Sequence, residues 1–177
     1  MLISTSRKPS SKTRSFCKNL SHALDCEYLN RGKMSMRELQ LKSKGLGSDS
    51  IALVYEMKGN PSKITFFSNE GEESLVLIGS VSTTNERLNI KTSEITFKSE
   101  LSEFNILKSI LPINKDLPVS NANSLNKENL IFVEKIDERQ NDDIEEYNKR
   151  IAIIHFYNKF AKDTGLKINV RKIITNQ

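Results

Sequence analysis

The stretch MLISTSRKPSSKTRSFCK, residues 1–18, decides the fold because it joins a short buried strand to an amphipathic helix. Its first three residues predict the strand, and a polar loop over 4–11 leads into the helix. A strand that enters a helix in this way leaves backbone N–H groups at the positive end of the helix dipole, which suits a phosphate group. A solvated basic loop is the alternative interpretation of the same residues.

The helix predicted after this loop spans about residues 12–24. Its apolar side chains recur at the spacing of one helix face, and they are Phe16, Cys17, Leu20, Ala23 and Leu24. Ser10 or Ser11 is expected to cap its N-terminus. The loop and the first helical turn carry four cations, and Asp25 is the first acidic residue of the chain. These cations are Arg7, Lys8, Lys12 and Arg14.

The composition is that of a soluble globular protein. A hydrophobic content of 37% and a charged content of 28% in 177 residues fit one sizeable core or two smaller ones. No apolar run approaches the roughly 20 residues of a membrane span, and the N-terminus lacks the apolar region of a signal peptide. The two cysteines, Cys17 and Cys26, form no metal-type or redox-type pair, which favours a reduced, cytoplasmic setting.

The net charge of +5 is concentrated in the first third of the chain. Residues 1–63 hold 12 Lys and Arg against 5 Asp and Glu, whereas the remaining 114 residues hold 15 against 17. A basic segment on a near-neutral remainder suggests one surface that faces a polyanion, and nucleic acid is the usual polyanion.

Local signals predict the other elements of the first half. Ser35 and Glu38 have the spacing of a capping box, so a helix is expected from there to about Lys44, with glycine stop signals after it. Short apolar runs predict strands at 26–29, 51–57, 64–67 and 74–81, with a tight connection over 58–63. The resulting order, β-α-β-α-β-β-β, indicates an α/β fold with a mixed sheet and helices packed against it.

Several of these segments resemble the Brix-domain proteins of ribosome biogenesis, in the short single-domain form typical of archaea. The matching segments are STSRKPS at 4–10, NRG at 30–32 followed by Glu38 and Leu39, and YEMKGNP at 55–61. A further match is LIGSV at 77–81 with Glu86 and Arg87. The resemblance therefore covers about residues 1–90, with its segments in the expected order.

The resemblance implies a single Brix domain over 1–177, with two similar α/β halves related to the anticodon-binding domain of class II tRNA synthetases. The halves are expected at 1–112 and 130–177, and a linker rich in Asn and Ser is expected at 113–129. The implied function is binding to ribosomal RNA or its precursors during subunit maturation, without catalysis. Other ribosome assembly factors are possible further partners, and no membrane partner is expected.

Periodicity also predicts the elements after residue 87. They are strand-like pieces within 88–97, a helix within 101–111 that Pro112 ends, and strands over 130–133, 150–157 and 166–174, with a turn at 163–165 before the last. Residues 137–146 hold six acidic residues against one Arg, a composition typical of a solvated loop. An alternative hypothesis is that this acidic run mimics RNA and covers the basic loop when RNA is absent.

The candidate RNA-binding residues are those that carry a cation near a turn or a helix start, together with one helix cap. They are Arg7, Lys8, Ser10, Lys12, Arg14, Lys18, Arg31, Lys33, Arg37, Lys58 and Lys63. Many phosphate contacts would give an affinity that falls steeply with salt. Tyr28 and Tyr55 are conceivable stacking platforms, although aromatic residues of strands usually belong to the core.

Catalysis has little support in the sequence. His22 and His155 have no neighbouring nucleophile, so structural roles are expected for both, and no Cys/His spacing fits a metal site. No nucleotide-binding motif is present and no cofactor is expected. A protein–protein adaptor whose basic face meets an acidic partner is the alternative to RNA binding.

Overall fold

The strands and helices expected in the first part of the chain are present in the computed structural model, which describes residues 1–83, 95–113, 129–137, 145–146 and 149–175. The strands are β1 (Leu2–Thr5), β2 (Glu27–Leu29), β3 (Ser50–Met57), β4 (Asn60–Ser68), β5 (Glu73–Ser82), β6 (Ile95–Ser99), β7 (Asn129–Lys135), β8 (Ala152–Tyr157) and β9 (Asp163–Thr175). The helices are α1 (Ser11–Ala23), α2 (Met36–Gly45), a 3₁₀ helix (Ser102–Ile106) and α3 (Leu107–Ile110).

All of these strands join one mixed sheet, so the predicted α/β class is confirmed. Its order is β2-β1-β3-β4-β5-β9-β8-β7-β6. β1 is parallel to both β2 and β3, β6 is parallel to β7, and the other neighbours are antiparallel. The expected mixed sheets of the two halves are therefore one continuous sheet, joined where β5 pairs with β9.

The two similar halves that the resemblance implies are visible in the topology. β1, β3, β4 and β5 form one parallel pairing followed by two antiparallel pairings, and β6, β7, β8 and β9 repeat that pattern. The Ser6 N–H donates to the Val54 carbonyl over 2.8 Å, and the Glu100 N–H donates to the Val133 carbonyl over 3.0 Å at the corresponding place. β6 pairs with β7, although the predicted halves, 1–112 and 130–177, put residues 95–99 in the first half. The boundary between the halves stays a prediction.

The two long helices cover opposite faces of the first half of the sheet. α1 begins at the expected Ser10 cap and buries Phe16 and Leu20 against one face, together with Ile3 of β1. α2 begins with the predicted capping box and buries Leu39 against the other face, where Leu2 of β1 points. Neighbouring residues of β1 thus contact different helices because successive side chains in a strand alternate between faces.

Two turns lie at other positions than the sequence predicts, which are 58–63 and 163–165. The connection after β3 is only Lys58 and Gly59, and the sheet already resumes at Asn60, so Pro61 is a strand residue and not part of a loop. Both turn residues have positive φ, 51° and 77°, as a two-residue hairpin with the twist of its strands requires. β9 likewise begins at Asp163, so the turn precedes 163–165 instead of occupying it.

The helix expected within 101–111 is a 3₁₀ helix that continues into the four-residue α3. No side chain caps it at Leu101, and Pro112 limits its length. Short helices without caps are marginal, and 3₁₀ turns are common at such starts. The strand expected at Leu88 and Ile90, the linker over 114–128 and the acidic run over 138–144 lie outside the described residues.

Candidate nucleic-acid interface

The three segments that carry the resemblance meet at one edge of the sheet. β1, β2 and β3 are parallel, so their carboxyl ends lie together, and residues 6–10, 30–35 and 58–59 follow those ends. We call these residues the strand-end edge. In open α/β sheets, ligands bind outside the carboxyl ends of the strands, at the point where connections leave toward opposite faces. Here β1 leads to α1 on one face and β2 leads to α2 on the other.

Side-chain hydrogen bonds tie the first two strand ends together. The Ser4 hydroxyl donates to the Leu29 carbonyl over 2.7 Å, and the Thr5 hydroxyl donates to the Asn30 amide oxygen over 3.4 Å. Both serine and threonine are fully buried, so these bonds satisfy hydroxyl groups that water does not reach. The loops that follow β1 and β2 therefore start from fixed positions.

The N-terminus of α1, where the sequence predicts a place for phosphate, is held by a carboxylate of the protein itself. Glu56 Oε2 accepts a bond from the Ser10 backbone N–H at 2.9 Å, from the Ser10 hydroxyl at 2.8 Å and from the Thr13 hydroxyl at 2.5 Å. The Ser10 hydroxyl in turn accepts the Thr13 N–H as the helix cap. The expectation that the N–H groups of this loop are free for an external anion is thus corrected at Ser10 and Thr13.

Electrostatics keep this carboxylate ionised. The pKa of Glu56 is lowered, first because the Thr13 hydroxyl donates to it and second because the Ser10 N–H does, with Arg14 adding a favourable charge. A carboxylate at the positive end of a helix dipole is stabilised in the same sense. Glu56 was not among the predicted site residues, and its signal was an acidic residue at the end of a strand that leads into a basic turn.

Four exposed cations lie in the loop and the first helical turn that carry this contact: Arg7, Lys8, Lys12 and Arg14. The Lys12 ammonium donates to the Asn60 amide oxygen over 2.6 Å, which joins the start of α1 to the first residue of β4, directly after the turn that follows β3. Lys58, also exposed, lies in that turn and is thereby brought to the same place. The Arg14 guanidinium donates to the Pro9 carbonyl over 3.0 Å, so this side chain is held against the loop.

The other predicted residues differ in how accessible they are. Arg31 is only 9% exposed and its Nε donates to the Met34 carbonyl over 3.0 Å, so it supports the loop from inside. The Lys63 ammonium lies 4.1 Å from the centre of the Tyr55 ring. Lys33 and Arg37 are exposed around the start of α2. Lys18 is exposed about 12 Å further along α1 than the cap, at 1.5 Å per residue.

The two tyrosines are half-buried and pack against the core, which fits the structural role that aromatic residues of strands usually have. Tyr28 packs against the apolar cluster under α1, and Tyr55 packs against the cluster under α2. Burial is the main cause that raises the pKa of each phenol. The strand-end edge therefore offers cations more than stacking surfaces.

His22 lies in the last turn of α1, away from this edge, and His155 is a buried residue of β8. His155 is 7% exposed and its Nε2 lies 2.8 Å from Glu134 Oε2, while its ring stacks on Tyr157. Within the described residues no group of three or more His, Cys, Asp or Glu could hold a metal ion. No helix of the described part is long and apolar enough to cross a membrane.

The acidic run is attached at the opposite edge of the sheet. β7 is antiparallel to β8, and β8 runs in the same direction as β3 through β9, β5 and β4, so the end of β7 and the start of β8 lie far from the strand-end edge. Covering the basic loop would require the run to span the height of the sheet, about 26 Å for the eight residues of β3. The geometry disfavours the mimic hypothesis.

Comparison with known proteins confirms the resemblance. A protein of Methanothermobacter thermautotrophicus named "Probable Brix domain-containing ribosomal biogenesis protein" is 47% identical over 73 residues, which cover 41% of this chain and 44% of that protein. The protein of the same name from Archaeoglobus fulgidus is 32% identical over 99 residues, 56% of this chain and 60% of that protein. The aligned segment thus spans less than half of the first relative. No protein-family model matches the chain.

Solved structures agree with the fold over the whole chain. The crystal structure of an archaeal Imp4-like protein matches with a TM-score of 0.74 and 24% identity, covering 99% of this chain and 100% of that one. A probable ribosomal biogenesis protein from Aeropyrum pernix matches with a TM-score of 0.73 and 22% identity, over 99% of this chain and 98% of that one. The similarity in fold therefore includes the second half, where the sequence match is weak.

Proposed function

We propose that this chain is a ribosome biogenesis factor that binds ribosomal RNA or its precursors through the strand-end edge and catalyses no reaction. The observation that carries the proposal is the meeting of the three family-like segments at one edge, where the Ser10–Glu56 contact joins a loop and a strand end that carry exposed cations. The names of the archaeal relatives support the biogenesis part of the proposal.

The chemistry of the edge favours recognition of the RNA backbone. Arg7, Lys8, Lys12 and Lys58 are exposed and come from separate segments that the Ser10–Glu56 and Lys12–Asn60 hydrogen bonds hold in place. Fixed cations that contact several phosphates release counterions, which gives affinity without reading bases. Glu56 supports this arrangement because it accepts bonds from Ser10 and Thr13 and so holds the loop against the end of β3.

A salt series tests the proposal. The probe is purified ribosomal RNA fragments, and the variant changes Arg7, Lys8, Lys12 and Arg14 to Ala. Loss of four phosphate contacts should reduce the slope of log affinity against log salt by about 2.8 for single strands or 3.6 for duplexes. The matched control removes four exposed cations outside the strand-end edge, Lys98, Lys108, Lys135 and Lys149, with the same change in charge.

The outcomes separate RNA binding from the adaptor alternative. A steep slope in the wild type and the control, with a shallow slope in the strand-end variant, supports RNA binding at this edge. Equal loss in both variants indicates a general charge effect instead of a site. If the wild type binds no ribosomal RNA but captures an acidic protein in a salt-resistant way and without RNA, the adaptor function replaces the proposal.

A further inference from the structure

The turn between β8 and β9 is a rigid structure built around one asparagine. The Asn158 N–H donates to the Lys162 carbonyl over 3.0 Å, and the Asn158 amide oxygen accepts the N–H groups of Phe160 and Lys162 at 2.9 and 3.1 Å. Ala161, whose φ is +56°, donates its N–H to the Asn158 carbonyl over 2.9 Å. These hydrogen bonds therefore hold the backbone from which the side chains of the turn project.

This turn carries an aromatic ring that is exposed and not packed into the core. Phe160 is 71% exposed, the largest exposed fraction among the large apolar side chains of the described residues. The Lys159 ammonium lies 5.4 Å from the centre of its ring. Lys162, two positions after Phe160, is also exposed. Burying a phenylalanine ring stabilises a folded protein, so leaving this ring in water forgoes a contribution to stability.

The turn lies at the same edge of the sheet as the cations described above. β8 runs in the same direction as β3, so both turns follow strands that end at this edge. Across the sheet, three strand spacings separate the β3–β4 turn from the β8–β9 turn, roughly 14 Å at about 4.8 Å each. The twist of the sheet and the further extension of β8 and β9 along the strand direction add to this separation. A nucleic-acid strand that follows the edge can reach both.

We propose that Phe160, Lys159 and Lys162 form a second contact for RNA, in which an unpaired base stacks on the Phe160 ring and the lysines contact the adjacent phosphates. The inference rests on the proposed function and adds the class of substrate: RNA with a single-stranded segment. A duplex hides the faces of its bases within the helix, whereas an unpaired base presents a face that an aromatic ring can cover.

The absence of tryptophan from the chain allows a direct measurement of stacking. Phe160→Trp introduces a single indole, and an unstructured single-stranded oligoribonucleotide should quench its fluorescence on binding. Leu41→Trp is the matched control, because Leu41 is 63% exposed but lies on α2. We expect quenching in the Phe160 variant, little change in the Leu41 variant, and little change in either with duplex RNA of equal length.

Affinity measurements give an independent result. Phe160→Ala should weaken single-strand binding about 5- to 150-fold, the range found for one base stacked on an aromatic ring. Its salt slope should stay unchanged because no charge is removed, and Phe160→Tyr should restore the affinity. The Lys159→Ala, Lys162→Ala pair should instead reduce the slope by about 1.4. These variants should fold like the wild type, because the substituted side chains are exposed and the turn is held by backbone hydrogen bonds and by Asn158.

Two results would overturn the inference, and they differ in what else they overturn. If the wild type binds single-stranded RNA and Phe160→Ala binds it equally well, the turn is not a contact and the strand-end edge keeps its role. If the wild type binds neither single-stranded nor duplex RNA, the proposed function fails and the inference fails with it.

Discussion

Ser10 and Glu56, which are 46 positions apart in sequence, are joined by a hydrogen bond of 2.9 Å from the serine backbone N–H to the glutamate carboxylate. This bond fixes the loop after β1 to the end of β3. The loop carries Arg7 and Lys8, so the position of those cations depends on a residue of another strand.

Glu56→Gln should lower the free energy of unfolding by about 1–2 kcal/mol, because the variant replaces an ionised acceptor of the Ser10 and Thr13 bonds with a neutral amide. Urea denaturation measures this difference. Glu72→Gln is the control, since Glu72 is exposed and its substitution makes the same change in charge. Equal stability of the Glu56 variant and the control would show that the carboxylate does not hold the loop.

The contribution of Glu56 should depend on pH. Its pKa is lowered in the folded protein, so the stabilisation is fully present above the unfolded pKa of about 4.3 and is lost as the pH falls through the folded pKa. The stability difference between wild type and Glu56→Gln should therefore be largest near neutral pH and narrow below about pH 4. Denaturation curves at several pH values check this, and a gap that stays constant down to about pH 3 contradicts it.

Arg31 should act on the fold more than on RNA. Its Nε donates to the Met34 carbonyl and the residue is 9% exposed, so Arg31→Ala leaves a loop carbonyl without this donor. We expect a loss of about 1–2 kcal/mol in the free energy of unfolding, and a similar loss for Arg31→Lys, whose ammonium cannot reproduce the guanidinium geometry. The exposed Lys33→Ala is the control. Unchanged stability with reduced RNA affinity would reverse this assignment.

Gly79 is required where the two halves of the sheet meet. A Cβ at this position would lie 1.8 Å from the Asn169 carbonyl oxygen of β9, which is a clash with backbone and not with a flexible side chain. Gly79→Ala should destabilise the protein by about 3 kcal/mol or more. Gly45→Ala in α2 is the matched control, because nothing lies within 4 Å of its Cβ and alanine favours a helix. Similar melting temperatures for the two variants would contradict the prediction.

The elements that the sequence predicted well are those whose signals are local. The Ser35–Glu38 capping box and the apolar face of α1 depend on residues a few positions apart, and both are confirmed. The Glu56 contact, the pairing of β5 with β9 and the place of β6 beside β7 depend on long-range packing that no short segment encodes. The strand character of Pro61 was missed because proline usually marks a loop, whereas here it follows the β3–β4 turn and lies next to a bulge at Ser62 in β4.

The acidic run should have little influence on RNA binding at physiological salt. Neutralising its six carboxylates, Asp137, Glu138, Asp142, Asp143, Glu145 and Glu146, raises the net charge and should tighten binding somewhat at low salt. At about 0.15 M salt the Debye length is about 8 Å, far less than the height of the sheet that separates the attachment of the run from the strand-end edge. We therefore expect an affinity within about twofold of the wild type there. A much larger gain that persists at this salt would mean that the run reaches across the sheet and competes with RNA for the basic loop.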